Sequence, residues 1–255
     1  MDKSIFTTLS AISENQAPRQ QLSNEIANLS TIGFKRSYSA AMKATKVTGA
    51  GFDSRYLVTS RRTDHVSLAP GTLTFTGNPM DVAMNGSTVM GVTAPNGELA
   101  FTRRGDLRVN AAGAVENGAG HLVRGVNGPL TAPAGYRVHV TGDGTIYAAN
   151  PDPNLRQAPQ QVGRILLRDA SIVTLERRPD GLFRPSAEFA TPTGDFGDGP
   201  NAPSLTVATV EGSNASAFEA LTKLIDFSRT HEAAIRYMKE MKSMDESGSS
   251  MLRVG

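Results

Sequence analysis

The chain has 255 residues, with no cysteine, 25 glycines and 14 prolines, and 26 basic residues stand against 24 acidic ones for a net charge of +2. That length admits one large domain or two modest ones, and the lack of thiols excludes disulfides and thiolate metal sites. The near-balanced charge argues against a nucleic-acid partner, and no run reaches the roughly 18–20 apolar residues of a membrane span.

Met1-Asp2-Lys3 is not a basic leader, and residues 5–12 are interrupted by Thr7, Thr8 and Ser10. The sequence therefore predicts no classical signal peptide, so export would take another route. Residues 4–30 predict an amphipathic helix, with Ile5, Leu9, Ile12, Leu22, Ile26 and Leu29 on one side and Ser4 as its cap. Pro18 predicts a kink or break near Ala17, and Gly33 a stop.

Residues 36–80 are mixed, with breaker clusters at 48–51 and 69–72, and read as an extended connection. From residue 81 the pattern is antiparallel β. Strands are expected at 81–84, 87–93, 99–103, 136–140, 145–149, 162–168 and 172–177. Turn signals separate them, among them Asn96-Gly97, Asn117-Gly118 and Pro179-Asp180-Gly181. Residues 150–161 and 191–203 read as loops. The pairs Arg61-Arg62, Arg103-Arg104 and Arg177-Arg178 read as solvated strand ends.

A second long helix is expected over 214–246, capped by Ser213 or Asn214. Phe218, Leu221, Leu224, Ile225, Phe227, Ile235, Met238 and Met241 give it a broad apolar band. Two helices this far apart in sequence must bury their stripes, at least cost against each other and against copies of themselves. The fold class expected is α+β. The terminal helices pack as a coiled-coil-like assembly domain around a central antiparallel β-rich domain. The divisions are 1–35, 36–80, 81–210 and 211–255.

Chemistry-bearing patterns are sparse. His65, His121, His139 and His231 lack metal-ligand spacing, and there is no phosphate loop and no Gly-x-Ser-x-Gly elbow. Residues 195–199 lack the alternating oxygen ligands of a calcium loop. Asp81, Glu98, Asp106 and Glu116 carry carboxylates without a pattern that pairs them. The expectation is no catalytic, cofactor or metal site. In their place stands an assembly interface of Ile5, Leu9, Ile12, Leu22, Ile26, Leu29, Phe218, Leu221, Leu224, Ile225, Ile235 and Met238. A secreted β-rich enzyme or carbohydrate-binding module with accessory helices is the alternative. A membrane-surface binder is a third reading, disfavoured by the few basic residues on the first helix.

Four blocks carry a resemblance. They are Leu22 to Lys35, ending Thr31-Ile32-Gly33-Phe34-Lys35; Pro70-Gly71-Thr72-Leu73 with Thr76-Gly77-Asn78-Pro79-Met80-Asp81; Phe101-Thr102-Arg103-Arg104-Gly105-Asp106-Leu107; and Glu211-Gly212-Ser213-Asn214. In order and spacing the chain resembles the bacterial flagellar basal-body rod proteins, most closely the proximal-rod type. It departs from them at Glu25, where asparagine is usual, and after Gly86, where an aromatic pair is often found. The resemblance implies a structural subunit of a periplasmic drive shaft. It implies export through the flagellar type III apparatus, with proximal and distal rod subunits and copies of itself as partners. It implies no nucleic acid and no small-molecule substrate.

Overall fold

The computed structural model describes residues 16–38, 42–47, 55–60, 65–152 and 157–253. Ile5, Leu9 and Ile12 lie outside the described residues. Two helices are described, α1 (Gln16–Ala27) and α2 (Ala217–Arg253). The strands run β1 (Ser37–Tyr38), β2 (Met42–Val47), β3 (Arg55–Ser60), β4 (His65–Val66), β5 (Leu73–Phe75), β6 (Val82–Met84) and β7 (Thr88–Thr93). They continue through β8 (Leu99–Thr102), β9 (Leu107–Val109), β10 (Val115–Asn117), β11 (Arg124–Gly125), β12 (Gly128–Pro129), β13 (Arg137–Val140) and β14 (Thr145–Ala149). The last are β15 (Gln160–Arg164), β16 (Leu167–Asp169), β17 (Leu175–Arg177), β18 (Phe183–Pro185), β19 (Leu205–Val207) and β20 (Thr209–Glu211). The described elements are thus mostly strands, with two helices.

It divides into two compact units, one of Met1–Ala27, Ser39–Thr63 and Ser216–Gly255, the other of Asn28–Tyr38 and Asp64–Ala215. In the first unit α1 contacts α2, and β2 pairs with β3 from Met42↔Ser60 to Val47↔Arg55. Pro18 is accommodated within the described helix α1. The break expected near Ala17 falls at the edge of the described residues, from which Gln16–Ala27 continues as one helix. Helix α2 starts differently from expectation. Ser216 Oγ accepts the Glu219 amide at 3.4 Å and its carbonyl accepts the Ala220 amide at 3.0 Å, so Ser216 is the cap. Asn214 is taken by other partners, described below.

The second unit is built on a seven-stranded antiparallel sheet, in the order β1-β4-β17-β18-β8-β7-β16. Strand β7 has a core on each face. Met90 and Val92 join a large cluster with Val82, Leu107, Val123 and Ile146, while Val89 joins Phe101, Leu175, Phe183 and Phe196 on the opposite side. The period-two alternation of a strand sends neighbours to opposite layers, and here both layers are dry. The Asn96-Gly97 turn closes β7 onto β8, with Gly97 at φ 83° and its amide on the Ala94 carbonyl at 2.8 Å.

Residues 191–203 have no regular structure but are firmly tied. Phe196 is buried with its ring 4.8 Å from that of Phe101. Asp195 pairs with Arg168 at 2.8 Å, and the buried Asp169 carboxylate accepts the Asn201 amide at 2.9 Å.

Candidate functional site: a buried ion cluster and an exposed helical seam

The carboxylate of Glu211 ends β20, which pairs antiparallel with β5 at Glu211↔Leu73. Its Oε1 accepts the ammonium of Lys35 at 2.7 Å and the Gly71 amide at 2.9 Å. Its Oε2 accepts Arg103 Nε at 2.8 Å. Arg103 spends its other nitrogens on the carbonyls of Gly86, at 2.6 Å, and Met84, at 2.5 Å. Lys35 also donates to the Ala69 carbonyl at 2.8 Å. The three side chains are 0–1% exposed. Ionised groups this deep are tolerated only when paired and hydrogen-bonded, and each of these is.

Two cations share one anion, so the cluster carries a surplus positive charge. That imbalance acts on Lys35. Burial first, then the neighbouring Arg103 charge, push its ammonium down to about 8, against the hydrogen bond it donates to Glu211, which favours the charged form.

The segment bearing Lys35 is tied at nearly every residue. The Gly33 amide donates to the Glu211 carbonyl at 2.7 Å. Gly33 has φ 68°, and a Cβ there would collide with the Arg103 carbonyl, so glycine is required twice over. Arg177 lies 4.6 Å over the Phe34 ring and donates to the Lys35 carbonyl. Asn214 Oδ1 accepts the Arg36 amide at 2.6 Å, and its Nδ2 reaches the carbonyls of Ser67 and Ala69 at 2.9 and 3.1 Å. Asn214 therefore ties the segment at Arg36 to that at Ser67 and Ala69 rather than capping α2. Arg103 and Arg177 are likewise not solvated strand ends. The first is buried against a carboxylate 108 positions away, and the second stacks on Phe34.

The members of this cluster each sit in one of the four sequence blocks. Lys35 ends the first, Gly71 lies in the second, Arg103 in the third, and Glu211 opens the fourth. A charged residue fixed inside an otherwise apolar or turn motif was the available signal, but the pairing spans 176 positions and has no local trace.

The second feature is α2. It has 37 residues, about 55 Å at about 1.5 Å per residue. Ala220 is buried, and Leu224, Phe227, Ala234, Ile235, Met238 and Met241 are half-buried, at helical spacing. Phe218 is 83%, Leu221 51% and Ile225 53% exposed. Their spacing of three and four puts them on one seam beside the half-buried stripe. Tyr237 and Met244 are exposed farther along. Of the remaining expected interface residues, Leu22 is buried, and Ile26 and Leu29 are half-buried.

Among the described residues, no group of three or more His, Asp or Glu is placed to hold a metal ion. No described helix is long and apolar enough to cross a membrane.

The sequence model described as the flagellar hook protein FlgE/F/G D1 domain matches residues 83–148, and that of the flagellar basal body rod FlgEFG protein C-terminal region matches residues 208–251. The chain is 35% identical to the flagellar basal-body rod protein FlgF of Salmonella typhimurium, over 97% of this chain and 96% of the relative. It is 33% identical to FlgF of Escherichia coli over the same shares. Against the flagellar basal-body rod protein FlgG of Caulobacter vibrioides it is 26% identical over 98% of this chain and 99% of that one.

Proposed function

This chain belongs to the flagellar basal-body rod protein family, most like FlgF, and from that premise we propose that it is a proximal-rod subunit polymerising through its terminal helices. It is a structural subunit of the basal-body rod and not an enzyme. In this reading the unit of Met1–Ala27, Ser39–Thr63 and Ser216–Gly255 supplies the assembly core and that of Asn28–Tyr38 and Asp64–Ala215 the β-domain, so the divisions expected at 35, 80 and 211 shift to 27 and 216. Neighbours are other rod subunits and copies of this chain, reached after export through the flagellar type III apparatus. Head-to-tail contacts that do not close on themselves generate a helical array, the geometry a torque-bearing shaft across the periplasm needs.

The observation that carries this reading is the exposed seam of Phe218, Leu221 and Ile225 on so long a helix. Burying such side chains between subunits contributes about 25 cal/mol per Å² of apolar surface, against a backbone ordering cost of about 1–2 kcal/mol per residue. Helix order and assembly are therefore coupled, and the terminal segments of the free subunit are marginal. Leu221→Asp and Ile225→Asp should abolish incorporation into the rod and motility while leaving the β-domain folded. Motility at the wild-type level in either variant would refute the seam as an interface. A free subunit whose circular dichroism shows fully formed helices, unchanged on assembly, would remove the coupling.

A further inference from the structure

We propose that the Lys35–Glu211–Arg103 cluster is a charge latch that makes the seating of residues 28–38 on the β-domain conditional on the arrival of strand β20. Without Glu211, the site between Gly71, Met84 and Gly86 receives two cations and no anion. Arg103 keeps its two carbonyl acceptors, and Lys35 keeps that of Ala69. Carbonyl dipoles alone do not neutralise two desolvated charges, so Lys35 stays in water and residues 28–38 stay unseated. With Glu211 in place, one carboxylate bridges both cations and takes the Gly71 amide. The backbone of β20 then receives Gly33 at the Glu211 carbonyl, and Asn214 receives the Arg36 amide. In a chain completed from N- to C-terminus, residue 211 comes late. The latch keeps residues 28–38 off the β-domain until strand β20 has been made, and seats them in one step.

Amide hydrogen exchange on the full chain tests this. In Glu211→Gln, Gly33 and Arg36 should exchange at least about 30-fold faster, while the core amides of Gly91 and Val123 change by less than about threefold, because local opening reports separately from global unfolding. The triple variant Lys35→Met, Arg103→Met, Glu211→Leu removes every charge from the site. It should return Gly33 and Arg36 to within about threefold of wild type, as apolar replacement of a buried ion cluster often does. Unchanged exchange at Gly33 and Arg36 in Glu211→Gln overturns the latch. So does equal acceleration of these amides and the core, which would make them one cooperative unit. A triple variant that does not restore protection places the effect in shape rather than charge, and overturns it too. Should Glu211→Gln not fold, Glu211→Asp makes the same comparison, with a smaller acceleration confined to the same two amides.

Discussion

Strand β7 and helix α2 are both rich in apolar side chains and dispose of them in opposite ways. Five of the six residues of β7 are buried, with one core above the sheet and another below. Helix α2 buries Ala220 fully, half-covers a single stripe, and leaves Phe218, Leu221, Ile225, Tyr237 and Met244 in solvent. The interior strands of the β-unit thus find their partners within the chain, while Phe75 and Ile172 at its surface stay exposed. The helix leaves a row of apolar side chains uncovered, and it is this row that the proposed reading assigns to contacts with other subunits. The proposed assembly rests on that difference between a strand buried on both faces and a helix covered on one.

The largest test of this contrast uses two phenylalanines. Phe101 is fully buried and Phe218 is 83% exposed. Phe101→Ala should destabilise the β-unit by about 3–5 kcal/mol, the cost of lost burial and the cavity left beside Phe183 and Phe196. Phe218→Ala should change monomer stability by no more than about 0.5 kcal/mol. Urea unfolding of both variants measures the difference. Comparable losses would mean that the helix is already covered in the monomer, and the contrast would fail.

Much of this contrast was readable from residue patterns. Turn chemistry marked the hairpins, and Gly97 and Gly181 take the positive φ it calls for, although Asn96, expected to share it, does not. Strands near 82–84, 88–93, 99–102 and 145–149 followed from alternation between such turns. The ion cluster was not readable. An arginine pair before a glycine reads as solvated wherever its counter-ion lies far along the chain, and Glu211 is 108 residues from Arg103. Asn214 misled for a related reason. As a side chain it is a good cap, but three long-range partners claim it, and Ser216, two residues on, takes the role. The loop at 191–203 hid the core residue Phe196, because composition reports a lack of regular structure and says nothing about anchoring. Of the expected interface, the seam on α2 was readable as an apolar band. Which part of the band stays exposed depends on what the helix meets in its own unit.

The surplus charge offers a smaller and more specific test within the β-unit. Lys35 is held down to about 8 in the folded chain, below the ordinary 10.5 it regains on unfolding. Between those values the unfolded chain binds more protons, so folding stability from this group rises with pH. The gain is lost as pH falls through about 8, below which the ammonium is charged in both states. Lys35→Met removes the titrating group and should lack this slope. Denaturant unfolding at pH 7, 8.5 and 10 should therefore show the stability of wild type gaining on that of the variant as pH rises. A decline instead would mean that the attraction of Glu211 outweighs burial and the Arg103 charge.

The smallest effect lies between β19 and β20, where Ala208 sits at φ 55°, the only non-glycine residue at positive φ among the described residues. The left-handed region brings an alanine Cβ close to its own backbone, a strain that glycine does not feel. The strain persists because the Ala208 carbonyl is needed where it is. It accepts the amides of Thr76 and Gly77, at 2.9 and 3.2 Å, and so fixes the end of β5 against β20. Those bonds come from the backbone, so Ala208→Gly keeps them and relieves the strain, while the unfolded chain gains the extra freedom of glycine. The strain relief is the larger of the two, and a net stabilisation of about 0.5–1 kcal/mol is expected from thermal unfolding of the β-unit. If Ala208→Gly instead destabilises, the alanine methyl makes packing contacts that outweigh its backbone strain. The β5–β20 ribbon would then owe its seating to side chains as well as to the carbonyl of residue 208.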